Sequence, residues 1–168
     1  MIVLGLDPGP THSGLLGWDG ERILSVRLLP NADVVEHLRR LSIEGLNHDH
    51  LVIEKIESFG MAVGAETFET VWWSGRFAEA YGIDHVGRLG RKAIKLHLCG
   101  SNRATDSNIR MAILDRFGGK DAAMGRKAAP GPLYHVKSHL WAALAVALTW
   151  YDQHDLNTVL DARLAGIK

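Results

Sequence analysis

Three residues in this chain of 168 combine a reactive side chain with a context that could put it to use: Asp7, Glu54 and His139. Asp7 closes the apolar run MIVLGL, and Glu54 closes LVI. If these two short strands lie side by side, both carboxylates emerge at one end of a sheet. Acidic oxygens meeting there repel each other unless a divalent cation bridges them. Hard oxygen donors suit Mg²⁺ or Mn²⁺ better than zinc. His139 opens the stretch HLWAALAVAL, where Ala142 lies three residues on and on the same helical face. The plain alternatives are two unrelated surface acids and a hydrogen-bonded core histidine.

The elements that would position these residues read as follows. Residues 1–6 form a buried strand stopped by Asp7-Pro8-Gly9-Pro10. Residues 13–18 and 22–29 flank Asp19-Gly20 as a hairpin. Asn31 or Asp33 caps a helix to about residue 46, with Val34, Val35, Leu38, Leu41 and Ile43 as its apolar stripe. His48-Asp49-His50 is a polar connection into the strand 51–53. Residues 60–64 form a mobile loop before a helix at 65–81, with Phe68, Val71, Trp72 and Phe77 near one side. Strands are expected at 86–89 and 94–98. Thr105 or Asp106 caps a helix over 107–117, ended by Gly118-Gly119. Residues 118–132 read as a basic flexible loop, and 135–151 as a well-packed helix. Neither a repeat nor a linker interrupts this order, so a single mixed α/β domain spanning 1–168 is expected.

Composition narrows the setting. Apolar residues at 46% and charged residues at 23% describe an ordinary globular protein. There is no apolar run of the ~18 residues that suggest a membrane helix. Asp7 breaks the N-terminal apolar stretch too early for a signal peptide. The lone Cys99 suits a reducing, cytoplasmic location. The net charge of zero conceals an asymmetry: residues 1–75 carry five Lys/Arg against eleven Asp/Glu, whereas residues 76–137 carry twelve against five. Such a division can set a phosphate-binding surface beside a metal-binding one.

The strand–Asp–Gly turn of DPGP, followed by Gly14, occurs in RNase H-like nucleases and in the phosphate loops of actin-like kinases. The C-terminal stretch separates the two. Asp7 in its DPG turn, Glu54 after a short strand, and a late helix running into ALAVAL together resemble RuvC-type Holliday-junction resolvases. The resemblance spans residues 1–151 and implies an RNase H-like fold with a mixed five-stranded sheet flanked by helices. It also implies Mg²⁺-dependent hydrolysis leaving a 5′-phosphate and a 3′-hydroxyl, with Mn²⁺ as a substitute, in DNA recombination and repair. In that family the late helix carries Asp or His at one position and Asp three residues later. His139 matches the first position. Ala142 occupies the second and is not acidic. The catalytic set implied is therefore Asp7, Glu54, His139 and the altered position 142, with Asp7, Glu54 and His139 as metal ligands. A missing carboxylate weakens such a centre. With the rest of the set intact, an introduced inactivating Asp→Ala change is favoured over a natural binding-only relative, so this chain is expected to be catalytically impaired.

For holding DNA, the loop after Glu54 offers Phe59 and Met61, which can stack on unpaired bases or wedge a junction open. The resemblance makes Phe59 the first candidate; anchoring its own loop is the plain alternative. Arg76, Arg88, Arg91, Lys92, Lys95, Arg103, Arg110, Arg126, Lys127 and Lys137 form the basic set for phosphate contacts, about half of them expected to approach DNA. Trp72 and Trp73 cannot both face the core of one helix, so one is expected at a dimer contact or a DNA surface. Glu57 and Asp106 read as solvent-facing charges, and His12 as a loop residue near Asp7. The resemblance implies a homodimer matching the two-fold symmetry of a four-way junction. By analogy it suits a bacterial cell or a phage-infected host. Three alternatives stand beside it: a non-enzymatic junction-binding protein, an RNase H-like nuclease for flaps or RNA hybrids, and an actin-like phosphotransferase. The last would need a second duplicated domain that this length does not supply.

Overall fold

The structure, a computed structural model, describes residues 1–44, 50–58, 60 and 62–155. Five strands form the main sheet: β1 (Val3–Asp7), β2 (His12–Trp18), β3 (Ile23–Pro30), β4 (His50–Lys55) and β5 (Val86–Gly90), in the order β3-β2-β1-β4-β5. β1, β2 and β3 are antiparallel neighbours, while β4 runs parallel to both β1 and β5. This is the mixed five-stranded sheet expected from the sequence.

Alternation along the strands divides the core into two layers. Leu4, Leu6, Leu15, Leu51 and Ile53 face α1 (Asn31–Glu44) and α2 (Ala65–Tyr81), meeting Val34, Val35, Leu38 and Phe77. Val3, Leu16, Trp18 and Val52 face the other way, toward α3 (Arg91–Cys99), α4 (Asp106–Arg116) and α6 (Leu140–His154). Between α4 and α6 lie the short α5 (Lys120–Met124) and a two-stranded hairpin, β6 (Gly125–Arg126) and β7 (Ala129–Pro130).

Helix α6 is the central helix. Seven consecutive residues from Ala143 to Thr149 are buried, so it is apolar almost all round. Its alanines let it lie directly on β1. A Cβ at Gly5 would run into the Ala143 carbonyl oxygen and stand 2.9 Å from the Ala147 Cβ. Glycine on the strand and alanine on the helix thus set the spacing between the two elements that bring Asp7 and His139 together.

Four sequence expectations are corrected. Residues 94–98, read as a strand from the alternation of Ile94, Leu96 and Leu98, belong to helix α3. At helical spacing Ile94 and Leu98 share an inward face, and Leu96 is left 58% exposed. Residues 118–132 are not an irregular loop throughout: Ala123 is fully buried in α5, and its carbonyl accepts from the Leu133 amide. The last helix starts at Leu140 rather than 135, because Leu133 and Val136 are buried through turns instead. The stripe proposed for α2 also splits. Phe77 is buried, whereas Phe68, Val71 and Trp72 face outward and Trp73 is the tryptophan packed on the core. Residues 46, 48 and 49 lie outside the described residues.

Gly5→Ala is expected to lower stability by about 1–3 kcal/mol, the usual cost of overpacking a close contact. A urea midpoint equal to that of the parent chain would show that α6 can move away from β1 freely.

Candidate active site

The strand register brings Asp7 and Glu54 together. Gly5 pairs with Val52 and Leu6 with Ile53, so Asp7 and Glu54 follow on adjacent parallel strands. Both share strand parity with Val3 and Val52, and therefore sit on the α6 face of the sheet. Both carboxylates are largely buried, with side chains 16% and 11% exposed. Burial pushes the Asp7 carboxyl above its ordinary value, against the lowering effect of His139 and Arg91. Burial also pushes Glu54 up, to about 7; the Asp7 charge adds to this while Arg91 opposes it.

The turn carrying Asp7 into β2 is fixed by a buried polar network. Ser13 Oγ donates to Asn31 Oδ1 at 2.7 Å and accepts from the Gly9 amide at 3.2 Å. Asn31 Nδ2 donates to the Gly9 carbonyl at 2.9 Å. Asn31 therefore serves less as a helix cap than as a clamp joining the DPGP turn to the start of α1.

His139 is placed by the chain ahead of α6. Ser138 has φ +46°, a left-handed conformation that non-glycine residues seldom adopt. It turns the chain so that His139 Nδ1 donates to Asp7 Oδ2 at 2.8 Å. Gly14 on β2 leaves the room needed, since a Cβ there would stand 3.0 Å from the His139 Cβ and main chain. His139 is thus a half-exposed partner of Asp7, not a core histidine. Ala142 is half-buried one turn further on and lines the same cleft.

That cleft has a volume of about 1090 Å³ and is bounded by Asp7, Glu54, Arg91, Asp106, Arg110, Lys137, His139, Trp141 and Ala142, among others. The Arg110 guanidinium stacks 4.6 Å from the Trp141 ring centre on its wall.

The sequence reading missed how Arg91 and Asp106 are used. From sequence Asp106 reads as a surface charge, and its side chain is indeed 77% exposed; Arg91 reads as a phosphate-binding cation. Instead, Arg91 Nη1 donates to both oxygens of Glu54, at 3.1 and 3.2 Å, and Nη2 donates to Asp106 Oδ1. Each residue opens a helix, Arg91 directly behind β5 and Asp106 directly behind its cap Thr105, but neither position announces a partner in the sequence. Glu57 does not simply face solvent either; it accepts from Lys55 Nζ at 3.0 Å at the cleft edge.

Of the other basic candidates, Lys137 lines the cleft. Lys92 and Lys95 lie on α3, Arg103 precedes α4, and Arg126 and Lys127 lie at the β6–β7 hairpin. Arg76 lies over Trp72 and Trp73, and Arg88 lines a separate cavity between β5 and α2. His12 is exposed and contacts Thr11. Phe59 and Met61 lie outside the described residues.

Two buried carboxylates at one sheet end fit a partly hydrated Mg²⁺, which takes one or two carboxylates and keeps several waters. Among the described residues no group of three His, Cys, Asp or Glu side chains is arranged to hold a metal ion.

No family model and no curated protein matches this sequence. Solved structures do match. The chain is similar to the Thermus thermophilus RuvC structure, with a TM-score of 0.63 and 23% identity over 91% of this chain and 96% of that one. It is also similar to T. thermophilus RuvC in complex with a Holliday-junction substrate, with a TM-score of 0.68 and 22% identity over 94% and 97% of the two chains. The chain has the RuvC-type, RNase H-like fold. Among the described residues no helix is long and apolar enough to cross a membrane.

Between about pH 4.5 and about 7, folded Glu54 holds a proton that the unfolded chain has released, so stability falls as pH rises through this window. Asp7, also raised, contributes with the same sign. In EDTA the urea midpoint should decline across that range and Glu54→Gln should flatten the decline; an unchanged slope in the variant would assign the effect elsewhere. Asn31→Ala is expected to cost about 1–3 kcal/mol by stranding Ser13 and the Gly9 carbonyl, read as a drop in melting temperature.

Proposed function

We propose that this protein binds four-way DNA junctions and that its Asp7–Glu54 centre is a Mg²⁺-dependent phosphodiester-hydrolysing site, with Mn²⁺ as a substitute, impaired in the present sequence by Ala142. The observation that carries this reading is the convergence of Asp7 and Glu54 at the ends of adjacent parallel strands, with His139 held on Asp7, at the floor of a large open cleft. The fold shared with RuvC, one of whose structures holds a Holliday-junction substrate, supports the choice of DNA.

In this reading Asp7 and Glu54 are the metal ligands. A bound Mg²⁺ would supply the charge that activates water and stabilises the leaving oxygen. His139, held through Nδ1, keeps its other ring nitrogen for orienting water or joining the ligand set. Lys137 and Arg110 at the cleft wall neutralise phosphates on either side of the scissile bond. Lys92, Lys95, Arg103, Arg126 and Lys127 extend the path of the arms. Cleavage leaves a 5′-phosphate and a 3′-hydroxyl. Paired nicks in a two-fold junction call for two copies of the chain. The outward Phe68, Val71 and Trp72 of α2 offer an apolar face for that pairing.

A second reading, a junction-binding protein without nuclease activity, is favoured by two observations: alanine at position 142, and the engagement of Glu54 by Arg91. One experiment separates them. The chain and its Ala142→Asp variant are incubated with a labelled four-way junction, in Mg²⁺ and in EDTA. Both are expected to bind, and the variant to make paired nicks in Mg²⁺ only. Adding Asp7→Asn to that variant is expected to reduce cutting by at least about a hundredfold, in line with the several kcal/mol attributed to metal-stabilised charge. Binding by both with cutting by neither would establish the binding module. Failure of both to bind would remove the DNA-junction reading altogether.

A further inference from the structure

Arg91 stands in an unusual place. It is the first residue of α3, where the partial positive charge of the helix N-terminus disfavours a cation. Its side chain is nevertheless drawn inward, only 23% exposed, to lie between Glu54 and Asp106. Both backbones are anchored: β5 pairs alongside β4 up to Gly90, the residue before Arg91, and the Thr105–Asn108 capping box fixes the start of α4. A cation bound to two carboxylates beside a third, Asp7, occupies the kind of position that a second divalent ion takes in a two-metal centre. Position 142, on the wall of the same cleft, carries only a methyl group and offers no oxygen to hold a pair of ions.

We propose that the Arg91 guanidinium permanently takes the place of one of two divalent cations, so that this chain binds a single ion, shared by Asp7 and Glu54, and uses Arg91 as the second positive charge. This rests on the proposed reading of Asp7 and Glu54 as a cation site, and it adds a specific ion count. Glu54 can serve both partners. Arg91 engages it through one nitrogen only, and a carboxylate has about four lone-pair sites. Arginine suits the role better than lysine, because its planar fork holds two carboxylates at once and it stays charged in all ordinary conditions.

The test is a Mn²⁺ titration by calorimetry of the unchanged chain, Ala142→Asp, and Ala142→Asp combined with Arg91→Gln. One ion per chain is expected in the first two and two ions in the third, where Glu54 and Asp106 are released as ligands. If an ion and the guanidinium are interchangeable, Mn²⁺ must also raise the melting temperature of Arg91→Gln by several degrees more than that of the unchanged chain. A second measurement needs no substitution: electron paramagnetic resonance of the Mn²⁺-loaded chain is expected to show isolated ions. Two ions per chain with Arg91 present, or the coupled spectrum of a pair about 3.5–4 Å apart, would overturn the proposal. So would a count that stays at one after Arg91→Gln. If no form of the chain binds Mn²⁺, it is the cation-site reading itself that fails, and the Arg91 proposal falls with it.

Discussion

Two carboxylates taken out of water at neighbouring strand ends are the constraint around which this structure is arranged. Desolvation disfavours the charged form of each, and their proximity adds repulsion at Glu54. A fold tolerates such a pair only by surrounding it with compensating groups. Here the compensation comes from separate parts of the chain: His139 ahead of α6 on one side, Arg91 at the head of α3 on the other. Asp106 enters as the outer partner that keeps Arg91 in line. The cleft is therefore not a gap left by poor packing. It is the solvent-facing boundary of a charge cluster built from both halves of the sequence.

The apolar architecture serves that cluster by fixing distances. Close contact of α6 with β1 through Gly5, Ala143 and Ala147 places the start of the helix over the end of the strand. The Asn31–Ser13–Gly9 network holds the turn beyond Asp7, and Gly14 leaves space for the His139 main chain. Small residues and internal hydrogen bonds, rather than large side chains, determine the geometry here. The left-handed Ser138 shows the same economy in the backbone, because strain at one residue lets a loop deliver His139 to Asp7.

Much of this was legible in the sequence. Asp7 and Glu54 could be placed because each ends an apolar run, and strand parity then determined their shared face. The hairpin at Asp19-Gly20, the helix at 65–81 and the Thr105 cap were readable from local turn and capping chemistry. Residues 94–98 were misread because five residues alternating Ile, Lys, Leu, His, Leu satisfy a strand period, while the helix they join is decided by packing against α4 and α6. The pairing of Arg91 with Glu54 and Asp106 was not legible at all. It spans 37 and 15 residues, and nothing local distinguishes that arginine from a solvated one.

Strand parity has a further consequence for how such a sequence can change over time. Because neighbouring residues on β1 and β4 point to opposite faces, gaining or losing one residue between Val3 and Asp7, or between His50 and Glu54, would carry an acid to the α1–α2 side. There it would face Val34, Leu38 and Phe77 with no cation in reach. A change of length is least costly where parity carries no weight, such as the β2–β3 turn or the loops between α4 and α6. The two strands bearing the acids are free to exchange one apolar residue for another but not to change in number.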